Sequence, residues 1–427
     1  MLALLAGIIA VTLLLGVPVA FGMGLAGSIW ILFIEGIEPS IIARRIYFAL
    51  DSFPLLAIPL FIMMGFLAER SGLLPEMVRW LQLLLGRVRG GMAYVNVSGS
   101  MLMAGVSGTA VSDIASLGRM EIQIMTRAGY PLAFSAALTA ASSIVGPIIP
   151  PSVAMIIYAL AVGNVSIGGL FMAGVVPGLL IGLGLAAISW RKSLQYHATI
   201  SPDRPSLREI AAQTLRVVPL ICLPVVIVGG ITFGIFTVTE SAAIGVVYTL
   251  LVGFAWTRAL RLRDVYDAAV YSAVISSVVG MLMGAGAILA WILTLNRVTH
   301  ALADQLIAIS ADPMVLLGLV AASLLVVGMF LDAVPIIIAL APLLAPIARR
   351  YGIDDLQFAM IFILSSMIGL VTPPVGIILF MTSGISGVPP EKLSLALLPF
   401  VLWMVAVVAL LVAVPSFTLW LPRMLGF

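Results

Sequence analysis

Asp113 and Asp332 stand inside apolar runs, the first shortly after Ser107-Gly108-Thr109 and the second after Gly328-Met329-Phe330-Leu331. A carboxylate in hydrocarbon costs about 3 kcal/mol or more to insert, so each is expected to meet an ion, a partner or water. The other polar groups nearby are also oxygens. Ser142 and Ser143 precede Gly146, and Ser365 and Ser366 precede Gly369 and Thr372. Glycine and proline interrupt the same runs, which leaves backbone carbonyls without intrahelical partners. Hydroxyls, carboxylates and such carbonyls form cages for a hard monovalent cation such as Na⁺, and free N–H groups at half-helix N-termini suit an anion.

Other chemistries are poorly supplied. Cys222 is the only cysteine, and His197 and His300 are the only histidines, so a disulfide framework and a transition-metal site are not expected. The run Gly105-Val106-Ser107-Gly108 fits the Gly-x-Ser-Gly pattern around the nucleophile of rhomboid-type intramembrane serine proteases. That chemistry needs a base within hydrogen-bond reach of the serine. Neither histidine falls in a segment expected to supply one, so an intramembrane hydrolase is a remote alternative and no enzyme is expected.

The elements that must position these oxygens occur twice. Raising residue numbers by 223 carries 105–151 onto 328–374 without a gap. Gly105 then falls on Gly328, Ala110 on Ala333, Arg127 on Arg350, Ser142 on Ser365, Ser143 on Ser366, Gly146 on Gly369, Pro150 on Pro373 and Pro151 on Pro374. Apolar sequences match by accident at leucines, but not readily at a shared Ser-Ser-x-x-Gly-x-x-x-Pro-Pro. Two copies with breakers inside apolar runs are the pattern of a secondary transporter built from inverted repeats.

Composition agrees. With 62% apolar residues, 9% charged residues and a mean hydropathy of +1.24, the chain is expected to be an all-α integral membrane protein. Its net charge of +3 comes from loops and bears on orientation in the lipid bilayer, not on nucleic acid. Residues 1–190 read as the first repeat, 191–216 as a cytoplasmic linker and 217–427 as the second repeat. Leu2 to Phe33 divides at Gly16-Val17-Pro18 into two spans, Glu35 to Asp51 is a polar connection, and a third span covers Phe53 to Ala68. An interfacial helix is expected from Leu74 to Leu85, then a re-entrant hairpin over 92–129, a broken helix over 132–162 and a span from Ser166 to Ser189. The second copy follows with two spans between Val217 and Trp256, one from Ser272 to Leu293, and an interfacial helix from Arg297 to Ile309. A hairpin over 314–350, a broken helix over 358–386 and an apolar run from Leu393 to Leu421 complete it.

Each copy thus has five spans, and an odd number turns the second copy upside down relative to the first. Placing both termini in the periplasm puts most of the 21 basic residues in the cytoplasm, among them Arg87, Arg89, Arg191, Lys192, Arg204, Arg208 and Arg216. The first hairpin then opens from the cytoplasm and the second from the periplasm.

Candidate cation ligands are Gly105, Ser107, Gly108, Ser143, Val145 and Gly146 in the first copy, and Gly328, Asp332, Ser366, Gly369 and Thr372 in the second. Candidate substrate contacts are Ser107, Thr109, Ile149, Pro150, Met329, Thr372 and Pro373. A hydroxyl in a membrane helix commonly bonds back to its own helix, and Ser142 or Ser365 alone reads that way. The recurrence of hydroxyl and breaker in both copies is what points to an ion. For Asp113 a site role stands level with a structural pair to Arg119. Asp332 has no basic residue within ten positions, which favours a site role.

The runs Ala104 to Gly118, Gly146 to Ser152, Gly328 to Ala333 and Gly369 to Gly376 resemble those of the large membrane subunit of tripartite ATP-independent periplasmic (TRAP) transporters, the DctM-like family. The resemblance covers essentially the whole chain. It implies an elevator-type carrier of the bacterial inner membrane, driven by Na⁺ bound at two sites, one per hairpin and broken-helix pair. It also implies import of a small organic acid delivered by a periplasmic substrate-binding protein, and a small four-helix membrane subunit as partner. That subunit is expected as a separate polypeptide, because this chain begins with its own first span. A passive channel, or a carrier without a binding protein, is the alternative.

Overall fold

The computed structural model describes residues 2–196 and 205–427, so His197 and Arg204 lie outside the described residues. Every regular element among them is helical. The first half opens with α1 (Leu2–Leu14) and α2 (Val19–Ile29), which ends in a π-turn at Trp30–Ile34, as Gly16-Val17-Pro18 divides the run. The polar connection is partly a helix, α3 (Ser40–Leu50), amphipathic and with no buried residue. Next come α4 (Ala57–Arg70), led in by a 3₁₀ turn from Phe53, and the interfacial α5 (Leu73–Leu85), which buries Met77, Val78 and Leu81.

The first hairpin descends as α6 (Gly91–Ser107) and turns at Gly108, whose φ of 62° suits a residue without Cβ. It returns as α7 (Ala110–Asp113), a π-turn at Ile114–Gly118, and α8 (Arg119–Arg127). Thr109 caps the return by accepting a bond from the Ser112 N–H at 3.3 Å. The broken helix is α9 (Leu132–Ser143) and α10 (Val153–Val162), and Ser152 caps the second piece through the Met155 N–H. A long helix, α11 (Ile167–Ser193), ends this half.

The second half is α12 (Leu207–Thr232), α13 (Val238–Leu251) with a π-turn at Val252–Trp256, α14 (Leu262–Leu295), α15 (Val298–Ile309), α16 (Pro313–Gly328), α17 (Ala333–Arg350), α18 (Asp355–Gly369), α19 (Ile377–Ser386), α20 (Pro390–Ala413) and α21 (Ser416–Met424). Raised by 223, residues 110–127 fall on 333–350, the range of α17, and α5, α9, α10 and α11 fall on α15, α18, α19 and α20 to within a few residues. One difference is informative. The 34-residue α14 covers in one piece what α3 and α4 cover in two, so the break at Asp51–Phe53 belongs to the first half alone. The last apolar run, read as continuous from Leu393 to Leu421, divides at Val414-Pro415 into α20 and α21, since proline cannot continue the hydrogen-bond ladder.

Seven helices are long and apolar enough to cross a membrane among the described residues: Phe53–Arg70, α11, α12, Val238–Trp256, α14, α17 and α20. The pieces on either side of each break are shorter, and α17, read as a hairpin arm, is itself long enough. The axis turns by 118° between α15 and α16.

Two bodies of helices result. In one, α4 packs on α13 and α14, α2 and α3 pack on α14, and α5 packs on α12. In the other, α6 packs on α9, α16 and α17 on α18, and α10 on α17, with α20 against α9. The halves interlock here, for Tyr158 of α10 meets Phe362 of α18 with ring centroids 5.6 Å apart, both side chains fully buried.

Candidate functional site

A cavity of about 440 Å³ lies where the two bodies meet. One wall is unbroken helix, with Ile62, Gly65, Phe66 and Glu69 from α4 and Tyr271, Ile275 and Val279 from α14. The other wall is made of turns and breaks. It consists of residues 107–112 and Ala115 of the first hairpin, Pro147, Val153, Ala154 and Ile157 of the first broken helix, Asp332–Val334 of the second hairpin, and Met367 and Leu370 of the second broken helix. Both hairpin tips and both broken helices therefore reach one space. Gly65 lets α4 come close, because a Cβ there would stand 3.2 Å from the Val106 carbonyl oxygen and 3.3 Å from Ser107 Cα.

At the first tip the oxygens are poorly satisfied. Ser107 Oγ is buried and has no hydrogen-bond partner. Among the described residues no donor reaches the carbonyls of Gly105 and Val106 at the end of α6, or that of Gly146 in the break. Gly108 lies against the break, where a Cβ would be 2.8 Å from the Pro151 carbonyl, and one on Gly146 would be 3.4 Å from the Thr109 carbonyl. Gly105 faces elsewhere, toward Pro224 of α12. Ser143 donates to the Ala140 carbonyl at 2.9 Å, and the Val145 carbonyl accepts the Ile148 and Ile149 N–H groups. Buried polar groups left without partners are costly, so Ser107 and these carbonyls are the ones suited to hold an ion.

The second tip packs more tightly. Gly328 and Gly369 touch through their backbones, since a Cβ on Gly369 would fall 2.5 Å from Gly328 Cα and one on Gly328 would fall 2.6 Å from the Ser366 carbonyl. Met329 is tied to the far side of the break by the Gly376 N–H, which donates to its carbonyl at 2.8 Å. Asp332 caps α17, accepting the Ala333 N–H at 2.8 Å, and is half-buried on the cavity wall. Ser366 and Thr372 donate to carbonyls of their own helix at 2.9 and 2.7 Å, and the Gly369 carbonyl accepts the Thr372 N–H.

Among the expected substrate contacts, Ser107 and Thr109 line the cavity, whereas Ile149, Pro150, Met329, Thr372 and Pro373 do not. Ile149 instead packs toward Gly178 of α11. Pro150 is buried and Pro373 exposed, so the two breaks differ in their access to the surface. The peptide bonds Pro150-Pro151 and Pro373-Pro374 are both cis. The one proton of Ser142 Oγ has two acceptors in reach, the Thr139 carbonyl of its own helix at 3.1 Å and Asn96 Oδ1 of α6 at 3.0 Å, whereas Ser365 Oγ has no partner. Asp113 makes no ion pair with Arg119; it is buried behind the tip with one carboxyl oxygen unpartnered, while Arg119 is exposed.

Sequence reasoning missed the unbroken-helix side of the cavity. Glu69 accepts a short hydrogen bond from Ser112 Oγ across the gap between α4 and the hairpin. Tyr271 stacks obliquely on Phe66 with centroids 5.2 Å apart. The one available signal was an acidic residue at the end of an apolar span, and next to Arg70 it reads as a solvated helix end.

Comparison with known proteins narrows the reading. The family model described as "Tripartite ATP-independent periplasmic transporter, DctM component" matches residues 6–417. The chain is 34% identical over 413 residues to the sialic acid TRAP transporter large permease protein SiaM of Vibrio cholerae, covering 96% of each. It is 33% identical to the C4-dicarboxylate TRAP transporter large permease protein DctM of Pseudomonas aeruginosa, covering 95% of this chain and 94% of that one. Among solved structures it is similar to the Alcanivorax borkumensis YdaH transporter, with a TM-score of 0.67 and 17% identity over 91% of this chain and 90% of that one, a likeness of fold.

Proposed function

Because the chain belongs to the DctM component family of tripartite ATP-independent periplasmic transporters, we propose that it imports a small organic acid, coupled to Na⁺ and delivered by a periplasmic substrate-binding protein. As a multi-pass large permease of a tripartite system it is a transporter and not an enzyme. The observation that carries the finer reading is the 440 Å³ cavity between an unbroken-helix wall and a wall of hairpin tips and helix breaks. Relatives named for sialic acid and C4-dicarboxylates handle carboxylates, which supports an organic acid here. The cavity has no basic side chain among its lining residues, so a carboxylate depends on backbone N–H groups and on cations held beside it.

Na⁺ is a co-substrate in this reading. The first ion is held by Ser107 Oγ with the free carbonyls of Gly105, Val106 and Gly146, and the second by Asp332 with backbone oxygens of the Gly328–Gly369 contact. The helices α2–α5 and α12–α14 form the scaffold. The two inverted halves contribute one hairpin and one broken helix each to a body that slides against it, with the termini in the periplasm and the small four-helix subunit beside the scaffold. Reconstitution into proteoliposomes with the small subunit and the binding protein tests this. Uptake that saturates and needs an inward Na⁺ gradient is expected, and non-saturating flux indifferent to the gradient would indicate a channel.

A further inference from the structure

We propose that the first hairpin holds a cation site of its own, behind the tip and outside the cavity, in which Asp113 and Glu121 supply the charge and Asn96, Ser100 and Ser142 supply neutral oxygens. All five side chains are at least 97% buried. Asn96 Nδ2 donates to Glu121 Oε2 at 3.1 Å, Ser142 Oγ to Asn96 Oδ1 at 3.0 Å, and Ser100 Oγ to Ser142 Oγ at 3.0 Å. The Ser100 hydroxyl also lies beside Asp113 and has one proton to give, to Ser142 or to the carboxylate, so it stands between the two acids. Two oxygens are left over, Asp113 Oδ1 and Glu121 Oε1, fully enclosed and with no partner.

Nothing on the protein supplies the missing positive charge. Among the described residues neither carboxylate takes part in an ion pair, and the other ionisable group acting on Asp113 is Glu69, of the same sign. Two carboxylates near enough to repel, each with an unmet oxygen, are what an empty cation shell looks like.

The backbone brings them together by an irregularity. In an uninterrupted α-helix, positions eight apart lie about 80° off alignment. The π-turn at Ile114–Gly118 takes up one extra residue between Asp113 and Glu121, which returns both to one face. The second half provides the control. There α17 runs as unbroken α-helix, and the positions matching Asn96, Asp113, Glu121 and Thr139 are Leu319, Ile336, Leu344 and Phe362. Of these Ile336 and Phe362 are fully buried, Leu344 is half-buried and Leu319 is exposed, so the second half carries no charge at these positions, and the carboxylates and the π-turn belong to the first half alone.

The ligand class is a hard monovalent cation, Na⁺ being the probe. The two unpartnered carboxylate oxygens together with the side-chain oxygens of Asn96, Ser100 and Ser142 fall short of the six to eight that Ca²⁺ asks for. No group of three or more His, Cys, Asp or Glu exists among the described residues, so soft or multivalent metals find no better site.

Equilibrium binding of ²²Na⁺ to the full chain in nanodiscs tests the site. Wild type is expected to bind one more ion per chain than Asp113→Asn/Glu121→Gln at saturating Na⁺, whatever the count at the hairpin tips, which Asp332→Ala probes separately. Asp113→Ile/Glu121→Leu, carrying the residues of the second half, should melt higher than wild type without Na⁺ and show a smaller rise in Tm when Na⁺ is added. Equal ion counts in wild type and the Asn/Gln variant overturn the proposal. So does an unchanged count accompanied by the loss of one titrating proton, which would identify a shared proton in place of a metal ion.

Discussion

Glu69 and Ser112 join the two bodies of the protein by a single hydrogen bond, the Ser112 hydroxyl donating to the Glu69 carboxylate at the edge of the cavity. If the hairpins slide against α4, this bond must break in each cycle. A hydrogen bond to a charged group contributes about 1.5–3 kcal/mol. Ser112→Ala is therefore expected to shift the balance of states away from the one described here by that amount, read as a change in disulfide trapping between cysteines at Ile62 and Val111. Unchanged trapping would make the bond incidental.

Asp332 tests the proposed second ion site. Its carboxylate lines the cavity, caps α17 and has no basic partner among the described residues. Asp332→Ala should abolish or strongly weaken Na⁺-dependent uptake while leaving the protein inserted and folded. Uptake with a normal dependence on Na⁺ concentration would reduce Asp332 to a helix cap.

The Gly328–Gly369 contact gives a prediction with an internal control. Alanine at either position places a Cβ within 2.6 Å of backbone atoms, so overpacking should cost about 1–3 kcal/mol. Gly318, ten residues earlier on the same helix, has nothing within 4 Å of the place a Cβ would take, and Gly318→Ala should be neutral or stabilising by up to about 1 kcal/mol. Thermal unfolding in detergent separates the two, and equal behaviour would contradict the close approach.

Topology is open to labelling. In a Cys222→Ser background, cysteines at Asn164, just before α11, and at Arg191, in its last turn, should react from opposite faces of the membrane, Asn164 from the periplasm. Both reacting from one face would remove the proposed inverted arrangement.

The repeated pattern of hydroxyls, glycines and prolines was legible in the sequence because breakers in apolar runs have few other uses. Helices end at Ser107, Ser143, Gly328 and Gly369, beside the glycines and prolines of that pattern. What could not be read was whatever depends on partners far apart in the chain. The segment of α3 reads only as a polar connection because it carries Arg44 and Arg45, yet Arg45 lies over the Trp291 ring at 4.9 Å, a contact of α3 with α14. Glu69 reads as a span end for the same reason. The matching positions Gly105 and Gly328 read alike, but one meets Pro224 and the other the broken helix of its own half. A sequence repeat fixes which residues correspond and not which neighbours they meet.

In the proposed transport cycle, substrate passes through the space between α4, α14 and the hairpin tips. Val111 lines that space and is 41% exposed, so a larger side chain can enter the cavity without displacing packed atoms. The decisive measurement is Na⁺-driven uptake by Val111→Trp in proteoliposomes beside its melting temperature. Loss of at least nine-tenths of the uptake at an unchanged Tm is expected, and uptake at the wild-type rate would contradict the account.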